Sequence, residues 1–370
     1  MSLKFKFFQH ISIFISFTQL FPPQVASCCF EAISHSTATE PAKMGKISVF
    51  CNLMLIPITL IAIFCGYLQK EYKQIVQTLP RQEGKLAIIT GASSGSLGYH
   101  TAVHLARAGA HVVMTYRTDS KGEQALSELM AEVPTASAEI MQLDLSNLTS
   151  VSEFSVSFKS KYPGKSINML INNAGIMALP QREVSAQGYE LQMATNHLGH
   201  FALTGLLLKS MAPKGRIINH SSFAYEVWST EHSIMEDLLS EASYNAWTAY
   251  GNSKLANLLF TYELNKRLQA KKSDLVAVAV QPGYTATSLQ DNTKFAWTQW
   301  AAMQPKDGSL PQVVAATDAS ISPSDKTYVG PAYAMWGPPA ALPTKDFAWN
   351  ATNQGALWAK SQELTGIKFW

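Results

Sequence analysis

Cysteine is scarce in this chain and confined to one end: Cys28, Cys29, Cys51 and Cys65 all lie within the first 65 of its 370 residues. Neither a disulfide framework nor a cysteine-ligated metal can hold the remainder together, so its core must be hydrophobic packing alone. Charge is also sparse. Only 15% of residues are charged, the net charge is +3, and no polybasic block interrupts the sequence. The clustered Lys and Arg that bind a phosphate backbone are missing, which argues against nucleic acid as a partner. No internal repeat or low-complexity tract points to a solenoid or a tail. His197 and His200 stand at i, i+3, but no Asp or Glu near them in sequence completes a ligand set, and no metal is expected.

What remains suits one α/β domain of about 250 residues plus a targeting segment. Ile47 to Leu68 is a run of 22 residues without a charge. As a helix it is long enough to cross a bilayer core of roughly 30 Å, so residues 47–68 are expected to be a single-pass membrane anchor. Pro57 near its middle is better tolerated in a membrane helix than in a soluble one. Lys43 and Lys46 before the run balance Lys70 and Lys73 after it and leave its orientation open. Residues 1–46 read either as a targeting segment or as a false start. Phe7 to Phe21 followed by Val25-Ala26-Ser27 loosely fits a cleavable signal, whereas Met44 directly before the apolar run is an alternative beginning. The expected membrane is that of the endoplasmic reticulum, with a plastid or another organelle as the alternative. Residues 69–84 are polar with an amphipathic hint and read as a linker.

From Lys85 the pattern changes to short β-branched runs alternating with helical periodicity. Leu86–Thr90, His111–Tyr116, Glu139–Leu143, Asn168–Ile171, Arg216–Asn219 and Leu275–Val280 read as strands, with Tyr99–Ala108 the first helix between them. This alternation predicts a doubly wound parallel sheet, Rossmann-like, filling residues 85–370 as one domain. Ser288 to Leu310 loses the periodicity and gathers Phe295, Trp297, Trp300 and Met303.

Thr90-Gly91-Ala92-Ser93-Ser94-Gly95-Ser96-Leu97-Gly98 follows the first strand and opens the first helix. There glycines let backbone amides approach a pyrophosphate at a helix N-terminus, so a dinucleotide is expected. The segment resembles the TGxxxGxG cofactor loop of the short-chain dehydrogenase/reductase family, and the similarity runs from about Lys85 to the C-terminus. One residue normally separates the second and third glycines of that pattern, whereas Ser96 and Leu97 both separate Gly95 from Gly98. Either Ser96 bulges, or it occupies the middle-glycine position with a Cβ beside the phosphates. At the end of the second strand stands Arg117, where an NAD-selective site would place an acid on the ribose 2′-hydroxyl; an Arg, with Lys121 close by, suits the 2′-phosphate of NADP. By the same resemblance Asp144 contacts adenine, Asn173-Ala174-Gly175 belong to the family's NNAG turn, and Pro282, Gly283 and Thr287 match its PGxxxT turn. Gly91, Ser93, Ser94, Gly95 and Gly98 are the expected cofactor-loop residues.

For proton transfer the central motif is Tyr250-Gly251-Asn252-Ser253-Lys254. An i, i+4 spacing sets phenol and ammonium on one helix face about 40° apart, and a lysine held close favours the phenolate. Tyr262 and Lys266 repeat the spacing, but 12 residues of helix rotate the second tyrosine about 120° from the first, so only one pair can face the cofactor. Tyr250 is preferred because Ser221-Ser222 ends the fifth strand upstream and Tyr250-xxx-Ser-Lys-Leu-Ala-Asn resembles the family's active-site helix more fully. The resemblance makes Tyr250 and Lys254 catalytic and cofactor-contacting, Ser222 the hydrogen-bond donor to the substrate oxygen, and Asn196 a support of the proton relay.

Between Ser222 and Tyr250 lie 27 residues. This is similar to the retinol dehydrogenase-like subgroup and implies a lipophilic carbonyl or alcohol. Phe223, Trp228 and Met235, with Trp297, Trp300 and Met303, are candidates for an apolar pocket fed from the bilayer. The Ser-Lys-Leu-Ala-Asn helix also resembles that of protochlorophyllide reductase, but that pigment site is expected to hold a cysteine, and this domain has none. A second class of function is a membrane-tethered Rossmann protein that binds NADP(H) as a sensor or scaffold without turnover.

Overall fold

The computed structural model describes residues 63–230, 233–290, 301–322 and 327–370. The chain divides into two units, Met1–Gln74 and Ile75–Trp370. Most of the expected anchor, residues 47–62, and all of the expected targeting segment lie outside the described residues. Residues 63–78 are helical, so the end of the expected anchor and the start of the expected linker share one helix. No helix among the described residues is long and apolar enough to cross a membrane.

The second unit is built on an eight-stranded sheet in the order β3-β2-β1-β4-β5-β6-β7-β8. Its strands are β1 (Leu86–Ile89), β2 (His111–Tyr116), β3 (Ser137–Gln142), β4 (Ile167–Asn172), β5 (Met211–His220), β6 (Val276–Val280), β7 (Thr327–Pro331) and β8 (Pro339–Pro343). The first seven pair in parallel and β8 returns antiparallel along β7. The six strands expected from the sequence are all present, with ends displaced by up to five residues. β7 and β8 were not expected. Their Gly330, Pro331, Pro339 and Pro343 read as turn residues; the two prolines of β8 are tolerated because it is the edge strand, and Pro331 ends β7.

Successive side chains of a strand face opposite ways, which divides the core in two. Leu86 and Ile88 of β1 face a layer with Phe154, Phe158, Phe201, Phe260 and Trp358. These come from α3 (Leu148–Lys161), α4 (Gly199–Leu207), α5 (Ala246–Ala270) and α7 (Ala351–Thr365). Ala87 and Ile89 face the other layer, with Val103, Leu105, Leu129 and Val313. That layer belongs to α1 (Leu97–Arg107), α2 (Asp119–Glu132) and α6 (Leu310–Thr317). β6 meets β7 at only one register pair, Val280 with Val329. The Asn265 amide engages the backbone of Ala277, donating to its carbonyl at 2.7 Å and accepting its N–H at 2.9 Å.

The connection from β3 to β4 carries the chain across β1 and β2, so β1 lies between β2 and β4. Strand order reverses there, and helices leave the sheet on both sides, opening a crevice at the carboxyl ends of β1 and β4. Phe201 anchors the layer below it: it is fully buried, with the rings of Phe369, Trp358 and Phe260 at 4.8, 5.2 and 5.3 Å. Phe201→Ala is expected to lower the unfolding free energy by about 3–5 kcal/mol, read as a lower urea midpoint without a change in slope.

Candidate active site

A cavity of about 490 Å³ occupies that crevice. Stretches leaving the carboxyl ends of six strands border it: Gly91 and Ser93 after β1, Thr115 to Thr118 at β2, Asp144 after β3, Asn173 to Met177 after β4, Ser221 to Ala224 after β5 and Pro282 to Thr285 after β6. Arg117 and Lys121 both line it, as do Thr287, Tyr250 and Lys254. Asp144 holds its own turn, its carboxylate accepting from the N–H of Ser146 at 2.9 Å and from the Ser146 hydroxyl at 2.6 Å.

Three expected cofactor-loop residues are off the wall. Ser94 turns away and donates to the Glu128 carboxylate on α2. Gly95 takes a left-handed φ of +70°, which makes the turn, and a Cβ there would meet nothing within 4 Å. Gly98 lies inside the first turn of α1, where a Cβ would stand 2.6 Å from both Asn173 Nδ2 and the Gly91 carbonyl. Gly98 therefore performs the close-packing task of a third glycine, and Ser96, two residues earlier, stands where the middle glycine belongs. Its hydroxyl is the N-cap of α1, accepting from Tyr99 N at 3.1 Å, and it reaches the Gly91 carbonyl at 3.2 Å. The extra residue is absorbed at Gly95. No acidic residue occupies the first turn of α1, which leaves the positive end of that helix free for an anion.

Tyr250 and Lys254 project from the first half of α5, Ser222 follows β5, and Asn196 sits in a π-helical segment (Ala194–Leu198). Such a segment widens one helical turn and re-aims its side chains. The side chain of Asn196 accepts from Ile176 N at 2.9 Å and donates to Ile176 O at 3.0 Å and to Ser253 Oγ at 2.9 Å. Gly175 brings the turn after β4 against it: a Cβ there would lie 3.1 Å from Asn196 Oδ1 and 3.3 Å from Lys254 Nζ. Lys254 Nζ lies 3.3 Å from the His220 carbonyl and 5.5 Å from the centre of the Tyr250 ring.

Burial governs both titrations. It pulls the Lys254 ammonium down to about 8 and pushes the Tyr250 phenol up to about 12, with the Ser222 hydrogen bond acting against that rise. Loss of water around the ring is the largest influence on the phenol. At neutral pH the pair is a phenol beside a cation, poised to donate a proton.

The competing pair lies elsewhere. Tyr262 stacks on Trp349 at 3.9 Å, and Lys266 extends into solvent beside Glu263 at 3.6 Å. Tyr262 borders a second cleft, about 560 Å³, with Asn265, Gln269 and Tyr328, and this cleft holds none of the expected site residues. Phe223 and Trp228 line the first cavity; Met235 packs in the core and Met303 is buried, while Trp297 and Trp300 lie outside the described residues. Trp247, Tyr284, Leu289 and Met335 complete the apolar wall, with Trp247 tilted against Trp228 at 4.4 Å. Sequence reasoning missed these four. Trp247 stood three residues before Tyr250 and was findable, but Met335 comes from a β7–β8 turn that the sequence did not announce. Gly98→Ala is expected to destabilise the protein by about 1–3 kcal/mol in thermal unfolding. Ser96→Gly, which removes the cap and a long hydrogen bond to Gly91, is expected to cost less, on the order of 0.5 kcal/mol.

A profile of the short chain dehydrogenase family matches residues 85–234. Human polyprenol dehydrogenase is 35% identical over 302 residues, covering 78% of this chain and 87% of the relative. Mouse retinol dehydrogenase 12 is 36% identical over 294 residues, covering 77% of this chain and 88% of the relative. Among solved structures, an uncharacterized protein from Mycobacterium paratuberculosis superposes with a TM-score of 0.66 at 38% identity, covering 80% of this chain and 98% of that one. The chain belongs to the short-chain dehydrogenase/reductase family of oxidoreductases, in its retinol dehydrogenase-like subgroup.

Proposed function

We propose that this chain is a membrane-anchored, NADP(H)-dependent oxidoreductase that interconverts the carbonyl and alcohol forms of a lipophilic substrate. The observation that carries the reading is the meeting of Tyr250, Lys254 and Ser222 in one cavity with the glycine turn and Arg117. Bound NADP(H) supplies or accepts the hydride at the substrate carbon. In the reductive direction the Tyr250 hydroxyl gives its proton to the carbonyl oxygen as that oxygen gains charge. Ser222 donates a hydrogen bond to the same oxygen, and donors placed where charge develops lower the barrier most. Lys254, cationic below about pH 8, stabilises the phenolate left behind. Asn196 fixes the backbone of Ile176 beside the pair through both ends of its amide.

Three features fit the dinucleotide: a helix N-terminus free of acids, a glycine turn, and Arg117 with Lys121 at the end of β2. The walls of Phe223, Trp228, Trp247, Tyr284 and Met335 fit a lipophilic chain, as do the substrates in the names of polyprenol dehydrogenase and retinol dehydrogenase 12. The charge-free run 47–68 supports a single-pass anchor, with the endoplasmic reticulum as the first compartment to examine and a plastid as the second.

Tyr250→Phe is expected to lower aldehyde reduction by roughly 10²- to 10⁴-fold while NADPH affinity is retained, measured by cofactor fluorescence and steady-state rates. Turnover that survives the substitution would remove Tyr250 from the chemistry, whereas NADPH binding with no turnover in the parent protein would favour a sensor or scaffold over an enzyme. Arg117→Asp is expected to weaken NADPH binding by roughly 10- to 100-fold and to leave NADH binding less affected. An unaltered cofactor preference in that variant removes the basis for NADP.

A further inference from the structure

Both histidines of Asn196-His197-Leu198-Gly199-His200 are fully buried, and the proposed chemistry uses neither. His200 bridges two parts of the site. Its Nε2 lies 2.9 Å from the hydroxyl of Thr90, the residue before Gly91. Its Nδ1 lies 2.9 Å from the main-chain carbonyl of Asn196. A carbonyl only accepts, so Nδ1 carries the proton, and in a neutral ring Nε2 must then accept. Thr90 has one hydroxyl proton. Directed at Nε2, it leaves the oxygen to accept from Asn173 N at 2.8 Å and Ala174 N at 2.9 Å, and both contacts are present. The competing acceptor, the Ile171 carbonyl, is more distant at 3.3 Å.

Burial, with Lys254 and His197 adding to it, holds the His200 ring neutral by bringing its pKa down to about 3. The direction of the bridge is therefore the same at every pH at which the protein works. Asn196 O has a second donor, Asn257 Nδ2 at 3.0 Å. The same amide donates to the His220 carbonyl at 2.9 Å, the carbonyl that also takes Lys254 Nζ. Asn257 in turn meets His197 Nδ1 at 3.3 Å, and His197 Nε2 meets Ser361 Oγ of α7 at 2.8 Å.

We infer that His200 is a positioning residue joining the cofactor turn to the π-helical segment, with a separate task for each ring nitrogen. Nδ1 fixes the Asn196 backbone and so the proton-transfer group. Nε2 fixes Thr90 and through it the Asn173-Ala174 turn that borders the cofactor. The inference rests on the function proposed above.

The test uses the full chain in detergent, NADPH, and retinal as the probe aldehyde. His200→Asn keeps an amide donor near the Nδ1 position, and His200→Gln keeps an acceptor near the Nε2 position. His200→Gln is expected to lose about tenfold in kcat with a smaller effect on NADPH affinity. His200→Asn is expected to show the reverse, with NADPH affinity falling by about tenfold and kcat falling less. Thr90→Val and Thr90→Ser examine the hydroxyl that joins the ring to the Asn173-Ala174 turn, and Val is expected to weaken NADPH binding about tenfold more than Ser. Parallel losses of kcat and affinity in both His200 variants, tracking their melting temperatures, would overturn the inference, as would equal NADPH binding by the two Thr90 variants. Tyr250→Phe, run beside them, separates the two levels. If it stays active the site reading itself is wrong; if it is inactive while both His200 variants match the parent, only the bridge is wrong.

Discussion

Placing an ammonium ion inside a protein costs several kcal/mol unless polar groups replace its water, and the site is arranged around meeting that cost for Lys254. The side chain is 3% exposed, no carboxylate among the described residues pairs with it, and its ammonium meets the His220 carbonyl. Asn257 donates to the same His220 carbonyl, and Gly175 leaves the space between Asn196 Oδ1 and Lys254 Nζ clear of a side chain. Burial brings the ammonium down to about 8, whereas full solvation would leave it near its ordinary value. The same dryness raises Tyr250, so cation and phenol belong to one environment and cannot be tuned separately.

The sheet makes that environment possible. Six strand ends deliver residues to one rim, and the reversal between β1 and β4 keeps helices from covering it. The two apolar layers hold the rim rigid from below, and polar side chains replace backbone pairing where the sheet runs out, as Asn265 does for Ala277. Position in the rim, more than any single residue type, decides which groups can act on a bound molecule. Tyr262 and Lys266 have the spacing of the active pair and none of its surroundings.

The strands from Leu86 to Val280 were legible because short β-branched runs set between helical stretches are a local property. The Tyr250 helix, the Ser222 strand end and the Arg117 strand end were legible for the same reason, each being marked by its immediate neighbours. The role of Ser96 was not. Two outcomes were compatible with one inserted residue, and only the packing of Gly98 on Asn173 and Gly91 selects the second. The bridge through His200 was hidden because its partners are 110 residues away at Thr90 and four residues away on the main chain. Burial by itself does not disclose which nitrogen of a histidine carries the proton. β7 and the edge strand β8 were illegible because strands holding Gly330, Pro331, Pro339 and Pro343 carry turn composition.

The central claim is that this rim binds a phosphorylated nicotinamide dinucleotide and passes its reducing equivalents to a lipophilic aldehyde. Titration of the full chain in detergent with NADPH and with NADH, followed by addition of retinal, a steroid ketone and a long-chain aldehyde, tests it directly. The account predicts saturable NADPH binding, tighter than that of NADH, and loss of nicotinamide fluorescence only when a carbonyl compound is added. Binding of neither nucleotide would contradict it, and would mean that Ser96 in the middle-glycine position closes the cofactor site.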